Sequence, residues 1–289
     1  KLFLIFGIIG NLGALGYFKY ANFFVDNINF FLGSNIILEQ IILPLGISFF
    51  TFQQITYLVD THLGETKEYS FLNYCLFVTF FPQLIAGPIV HHSKMMPQFT
   101  KKILSGLKIK NLTSGLTIFT AGLFKKVCIA DNIALSASPL FQIAEHGVDI
   151  KFFEAWAGAI AYSFQLYFDF SGYSDMAIGL GLMFGIILPI NFLSPYKAKN
   201  IRDFWQNWHI SLSNLVRNYL YYPVAISLNR YAGKVKLGNT NTFILCLVFP
   251  TMFAFFWIGV WHGAGLNFIL FGLLHGSYLV LFNVWIKIK

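Results

Sequence analysis

The sequence predicts an all-α, polytopic membrane protein, and three observations carry that prediction. Of its 289 residues, 56% are hydrophobic, 19% aromatic and only 11% charged, with 34 Phe, a composition outside the range of soluble domains. Apolar runs of about 20 residues recur along the chain, the length a helix needs to cross a bilayer, and leave room for about six to nine crossings. Ten-residue stretches of alternating polarity, the mark of a membrane barrel, do not recur. The chain reads as a single membrane-embedded domain over residues 1–289. It opens on Lys1 with an apolar run from Leu2 and lacks the layout of a signal peptide, so a portion of a longer protein is expected.

Leu2 to Phe18 and Ile36 to Val59 are the first two candidate spans, and Phe71 to Val90 the third. Pro44, Pro82, Pro88, Pro189 and Pro250 interrupt apolar runs. Such breaks survive in lipid where neighbouring protein or a water-filled cavity satisfies the freed backbone. Leu112 to Ile143 carries Lys125 and Lys126 near its middle. Two readings stand for it: one long span with buried or snorkelling lysines, or a re-entrant hairpin of two short helices. Phe152 to Leu188 is the next span, and it places Asp169 and Asp175 in apolar surroundings. On a helix, Asp169 shares a face with Tyr173 and Ser171 with Asp175, giving each acid a hydroxyl partner four residues away. Gly181 and Gly185 form a small-xxx-small pattern, read as close helix packing.

Pro195 to Asn229 differs in character. At 100° per residue, Ile201, Phe204, Trp205, Trp208, Leu212, Leu215, Val216 and Tyr219 fall within about 60° of one direction, predicting an amphipathic helix along the membrane or lining a cavity. On the same wheel His209 lies at about 80°, beside Arg202 and Ser213, at the edge of the apolar stripe. Thr242 to Val260 and Leu266 to Trp285 complete the candidate spans.

The net charge of +8 is distributed as a membrane protein requires. Lys94, Lys101, Lys102, Lys108 and Lys110 form one basic stretch, and Lys197, Lys199, Arg202, Arg217, Arg230, Lys234 and Lys236 a second. Asp60 to Glu68 and Glu145 to Glu154 are net acidic. The positive-inside rule places the basic stretches in the cytoplasm and the acidic ones away from it; anionic lipid, not nucleic acid, is the expected partner. Cys75, Cys128 and Cys246 lie far apart among apolar residues, suggesting buried packing and neither a disulfide framework nor a metal site.

His262 carries the chemistry. It ends the run Phe243 to Trp261 inside Trp261-His262-Gly263-Ala264-Gly265, and an ionisable side chain there marks a functional site. A lone histidine on an apolar face is more often structural; His262 departs from that expectation because flanking glycines let another group approach the ring closely. Imidazole titrates near pH 6.5, which suits a general base. His209, set among Trp205, Trp208 and Ser211, is the second candidate. His91 and His92 point apart at adjacent positions and have no third ligand at suitable spacing. His62 and His146 are expected in solvated loops, and His275 is read as structural. Without a serine elbow, phosphate loop or Rossmann glycines, the attacking group of an enzyme built this way is expected to come from a substrate or partner and to be activated by histidine. That is the logic of a transferase.

Leu43 to Gln53, Phe81 to Ile89, Phe168 to Asp175, Trp205 to Ser213 and Trp261-His262-Gly263 occur in the order in which the membrane-bound O-acyltransferase (MBOAT) family carries its motifs. The chain resembles that family over nearly its whole length, most closely the branch that O-acetylates bacterial polysaccharides such as peptidoglycan and alginate. It departs from the family at Gln206-Asn207, where basic residues are common. The resemblance implies a helical membrane fold with broken and re-entrant helices around a central tunnel. It also implies a catalytic histidine at His262 and a second functional residue at His209. Trp205, Trp208, Ser211, Trp261, Asp169, Ser171 and Asp175 fall in the matching motifs as tunnel-lining or supporting residues. No cofactor or metal is implied. In this branch acetyl-CoA donates an acetyl group, which crosses the bacterial inner membrane to a periplasmic SGNH-type acetyltransferase acting on the polysaccharide, most closely peptidoglycan. Alginate O-acetylation and D-alanyl transfer to teichoic acid are alternatives within the family. A secondary transporter is the alternative outside it, although the repeated halves of such a fold are not found.

Overall fold

The computed structural model describes residues 1–66, 70–84, 87–100 and 108–289. Every regular element among them is helical. Lys67, Glu68, Lys101 and Lys102 of the charged stretches, and Ile85 and Ala86 of the Phe81 to Ile89 motif, lie outside the described residues. Four helices are long and apolar enough to cross a membrane: Leu2–Leu32, Ile109–Glu145, Asn239–His262 and Leu266–Ile288. The remaining helices are shorter or more polar. The chain forms two compact units, one of Lys1–Lys67 with Leu193–Lys289 and one of Glu68–Phe192.

In the first unit, α1 (Leu2–Leu32) runs through a π-helical turn at Gly16–Tyr20 and stops at Gly33, whose φ of 63° suits glycine. Phe3 is 90% exposed and Leu2, Phe6 and Ile9 are exposed with it, a face suited to lipid. The second expected span is different from its prediction. Residues 33–44 are not helical, and α2 begins only at Ile47 and ends at Leu63. Asparagines on α1 explain this. Asn29 donates to the Ile36 carbonyl at 2.8 Å and accepts from the Ile36 N–H at 2.9 Å. Asn22 does the same for Glu39 and Ile41 at 3.2 Å. These side chains satisfy a non-helical backbone that apolarity alone reads as helix.

The amphipathic segment after Pro195 is also broken. It comprises α7 (Ile201–Asn207), α8 (Ile210–Val216), a π-helical turn at Arg217–Tyr221 and α9 (Tyr222–Val235). His209 sits between α7 and α8 at φ 42°, so the single helical wheel does not apply there. The residue is buried rather than at a stripe's edge, with 2% exposure. Helices α10 (Asn239–His262) and α11 (Leu266–Ile288) cross at glycines: a Cβ on Gly259 would lie 2.4 Å from the Phe268 carbonyl oxygen, and one on Gly272 would lie 2.2 Å from that of Phe255. Asp60, grouped above with the acidic loop, is buried at the end of α2 and accepts from Tyr219 Oη at 2.7 Å. Burial and this carboxylate push the Tyr219 phenol up, so it stays the donor.

The second unit holds α3 (Phe71–Thr79), α4 (His92–Thr100), α5 (Ile109–Glu145) and α6 (Phe152–Met183). Of the two readings of the Lys125–Lys126 region, the long helix is the one found, with a π-helical turn at Lys125–Ala130. It packs antiparallel on α6 through two glycine pairs. A Cβ on Gly115 would lie 2.6 Å from the Gly179 carbonyl oxygen, and one on Gly122 would lie 2.6 Å from that of Gly172. This seam, not Gly181 and Gly185, makes the close helix contact. Gly185 instead ends α6 at φ 77°, with its N–H bonded to the Leu182 carbonyl and that of Ile186 to Gly181, a Schellman cap.

The carboxylates of α6 have lysine partners rather than the hydroxyls expected four residues away. Lys125 Nζ lies 2.5 Å from Asp175, and Lys126 Nζ lies 2.6 Å from both Asp131 and Asp169. Lysine wins because an ion pair compensates a carboxylate's charge, which a hydroxyl cannot do. The His91 and His92 rings do not point apart; their centroids are 4.4 Å apart, because the chain enters α4 between them. Cys128 is exposed and Cys75 and Cys246 half-buried, so the cysteines are not core residues.

Candidate active site

His262 is the last residue of α10. Gly263 follows in extended conformation, φ −174°, and its lack of a side chain matters sterically: a Cβ there would stand 2.1 Å from the Phe268 ring. The close approach expected at this glycine is therefore made by an aromatic ring of α11. Trp261 and Phe271 flank the His262 imidazole, with ring centroids 4.9 and 5.4 Å away.

His209 reaches the same aromatic cluster from the α7–α8 break, its ring 6.3 Å from that of Trp261. A left-handed backbone at a buried non-glycine residue costs about 1–3 kcal/mol and persists where its surroundings fix it. Ser211 Oγ lies 3.5 Å from His209 Nδ1. Burial holds the His209 imidazole far below its ordinary range, at about 3, and the neighbouring His262 adds to the effect. His209 is therefore neutral at physiological pH, fit to orient or hydrogen-bond a partner and unsuited to carry a proton through a cycle.

Trp205 is 9% exposed and meets Phe255 and His275 edge-on, at 5.0 and 5.1 Å. Trp208 ends α7 and stacks on Phe204 at 5.6 Å, next to Tyr196. The ring nitrogens Trp205 Nε1, Trp261 Nε1 and His275 Nδ1 are buried with no hydrogen-bond partner among the described residues.

The structure thus gathers His262, His209, Trp205, Ser211 and Trp261 around one aromatic cluster. Asp169, Ser171 and Asp175 belong to the other unit; the two acids are ion-paired, and Ser171 is buried at 1% exposure. Sequence reading missed Lys19 and Tyr20, which reach the last turn of α10. The signal available was a single cation flanked by aromatics inside an apolar run, Tyr17-Phe18-Lys19-Tyr20. His275, read as structural, lies beside Trp205 and Phe271 in the cluster.

The sequence pattern of the MBOAT, membrane-bound O-acyltransferase family matches residues 64–288. Over 96% of this chain, a peptidoglycan O-acetyltransferase of Helicobacter pylori is 49% identical, with 55% of that protein covered. The "Probable alginate O-acetylase AlgI" of Pseudomonas aeruginosa is 41% identical over 96% of this chain and 51% of its own length. A teichoic acid D-alanyltransferase of Bacillus subtilis is 29% identical over 84% of this chain and 60% of its own length. The chain spans about half the length of the curated relatives it matches.

Proposed function

This chain belongs to the membrane-bound O-acyltransferase family, and we propose that the full-length protein transfers an acetyl group from cytoplasmic acetyl-CoA across the bacterial inner membrane for O-acetylation of peptidoglycan. The observation that carries this reading is His262, an imidazole at the end of a membrane-spanning helix, set in an aromatic cluster with a second, buried histidine. Similarity to a peptidoglycan O-acetyltransferase at 49% identity supports the choice of acceptor.

In the proposed reaction a ring nitrogen of His262 takes the proton of an attacking hydroxyl or thiol while its oxygen or sulfur bonds to the thioester carbonyl carbon. The tetrahedral adduct then expels the coenzyme A thiolate, which recovers the proton from the imidazolium. His209, neutral throughout, orients the reacting groups. Trp205, Trp208, Ser211 and Trp261 wall the passage; Asp169, Ser171 and Asp175 act within their own unit, where the two acids fasten α6 to α5. The acceptor of the acetyl group is a periplasmic SGNH-type acetyltransferase, which completes the ester on the glycan.

The test uses the purified full-length protein in proteoliposomes, with labelled acetyl-CoA on one face and partner plus peptidoglycan on the other. Label should appear as glycan ester in proportion to thioester consumed, and His262→Ala should abolish both. Label crossing only as intact acetyl-CoA or free acetate, with an active partner present, would replace this reading with a transporter. Transfer to alginate but not peptidoglycan would correct the acceptor.

A further inference from the structure

Lys19 is a cation inside the apolar helix α1. No carboxylate pairs with it among the described residues; its partners are neutral. Its ammonium donates to the Trp261 carbonyl, lies 3.5 Å from Ser48 Oγ, and stands 5.7 Å from the centre of the Trp261 ring. The next residue, Tyr20, donates its hydroxyl to the Val260 carbonyl. Both carbonyls belong to the last turn of α10, where a helix has no N–H of its own to offer. Residues 240 and 242 positions away in sequence therefore cap the helix that ends at His262. The ring of Trp261 is held from α2 as well: Phe52 stacks on it at 5.6 Å and Phe49 meets it edge-on at 5.8 Å.

A cap alone does not require a charge. Tyr20 provides one with a phenol, whereas an ammonium surrounded by neutral groups in an apolar span is unfavourable unless something uses it. Positive charge is favoured at a helix C-terminus, and the Lys19 ammonium sits on the carbonyl of the residue just before His262. We propose that Lys19 is a positioning residue of the acyl-transfer site, which together with Tyr20 pins the last turn of α10 and fixes the His262 imidazole against the reacting groups. This inference rests on the acyltransferase reading. It also gives a role to α1, which precedes the residues matched by the family pattern.

The experiment compares Lys19→Met, Lys19→Arg and Tyr20→Phe with the full-length protein, at equal amounts of folded material judged by thermal melting. Two quantities are read: kcat and KM for acetyl-CoA, and the rate at which diethylpyrocarbonate modifies His262, followed by peptide mapping. Displacing a catalytic group by about 1 Å costs up to about 100-fold, so Lys19→Met should lower kcat by about 10- to 100-fold with KM unchanged. Lys19→Arg should recover at least about a third of the activity, and Tyr20→Phe should lose about threefold, because each keeps part of the cap. Modification of His262 should speed up in Lys19→Met. The proposal is overturned if Lys19→Met keeps kcat within about twofold, if it raises KM alone, or if its loss follows the loss of melting temperature with no rescue by arginine. If the wild-type protein itself consumes no thioester, the acyltransferase reading fails. In that event the His262 modification rate still decides the role of Lys19: an unchanged rate refutes it, and a faster one upholds the positioning.

Discussion

Two regions of this protein place lysines inside apolar helices and treat them in opposite ways. On α5, Lys125 and Lys126 are matched by Asp175, Asp169 and Asp131 at 2.5–2.6 Å. On α1, Lys19 has a carbonyl, a hydroxyl and two aromatic rings around it. The first arrangement compensates charge and acts as a fastener between two helices. The second leaves a positive charge beside a histidine. An intramembrane charge that is matched reads as architecture, and one left unmatched next to a titratable ring reads as chemistry.

The fastener depends on close helix approach, and the glycine seam lies beside it. A Cβ on Gly122 would stand 2.6 Å from the Gly172 carbonyl oxygen and 3.0 Å from Asp175 Cβ. Gly122→Ala should therefore push α5 from α6 and loosen the Lys125–Asp175 pair, with a loss of about 3 kcal/mol read by denaturant titration in detergent. An unchanged midpoint would mean that the seam is not what holds the pair. Lys125→Met comes next. Each side chain of its pair keeps 31% exposure, so the loss should be smaller than for a sealed pair, about 1–2 kcal/mol. The double variant Lys125→Met/Asp175→Leu should regain at least about half of it, because no lone carboxylate is left behind. If the double variant is less stable than either single one, the pair contributes more than charge compensation.

A third test reads the buried histidine of the site, His209, through pH. Its imidazole is held at about 3 in the folded protein, against about 6.5 in an unfolded chain. Below pH 6.5 the unfolded chain binds a proton that the folded protein refuses. The stability associated with neutral His209 is thus intact above pH 6.5 and declines as pH falls toward 3, by at most about 1.4 kcal/mol per pH unit. His209→Asn should remove that part of the slope when unfolding is followed from pH 7 to 4. Identical slopes for the two proteins would show that His209 is not buried in neutral form.

The helical membrane class and the end of α10 at His262 were legible in the sequence, because hydropathy and glycine placement are local signals. The glycine seam was not, since Gly115 and Gly122 find Gly179 and Gly172 only once the helices pack. For the same reason Asp175 appeared to need a nearby hydroxyl, although its partner Lys125 lies 50 residues away. The α7–α8 break escaped the helical wheel because periodicity assumes continuous helix, and a left-handed histidine carries no compositional mark. The non-helical run from Gly33 depends on Asn22 and Asn29 one helix earlier, beyond what apolarity reports. Lys19 lay just past the predicted end of the first span at Phe18, and its importance appears only when Trp261 comes beside it.

The central claim is that His262 is the base of an acyl transfer. The most direct measurement is single-turnover cleavage of acetyl-CoA by full-length wild-type and His262→Ala protein, with the acceptor partner present and folded amounts equal. General-base catalysis contributes about 10²- to 10⁴-fold, and a loss of that size is the predicted result. Thioester cleavage by His262→Ala within about threefold of wild type would contradict it.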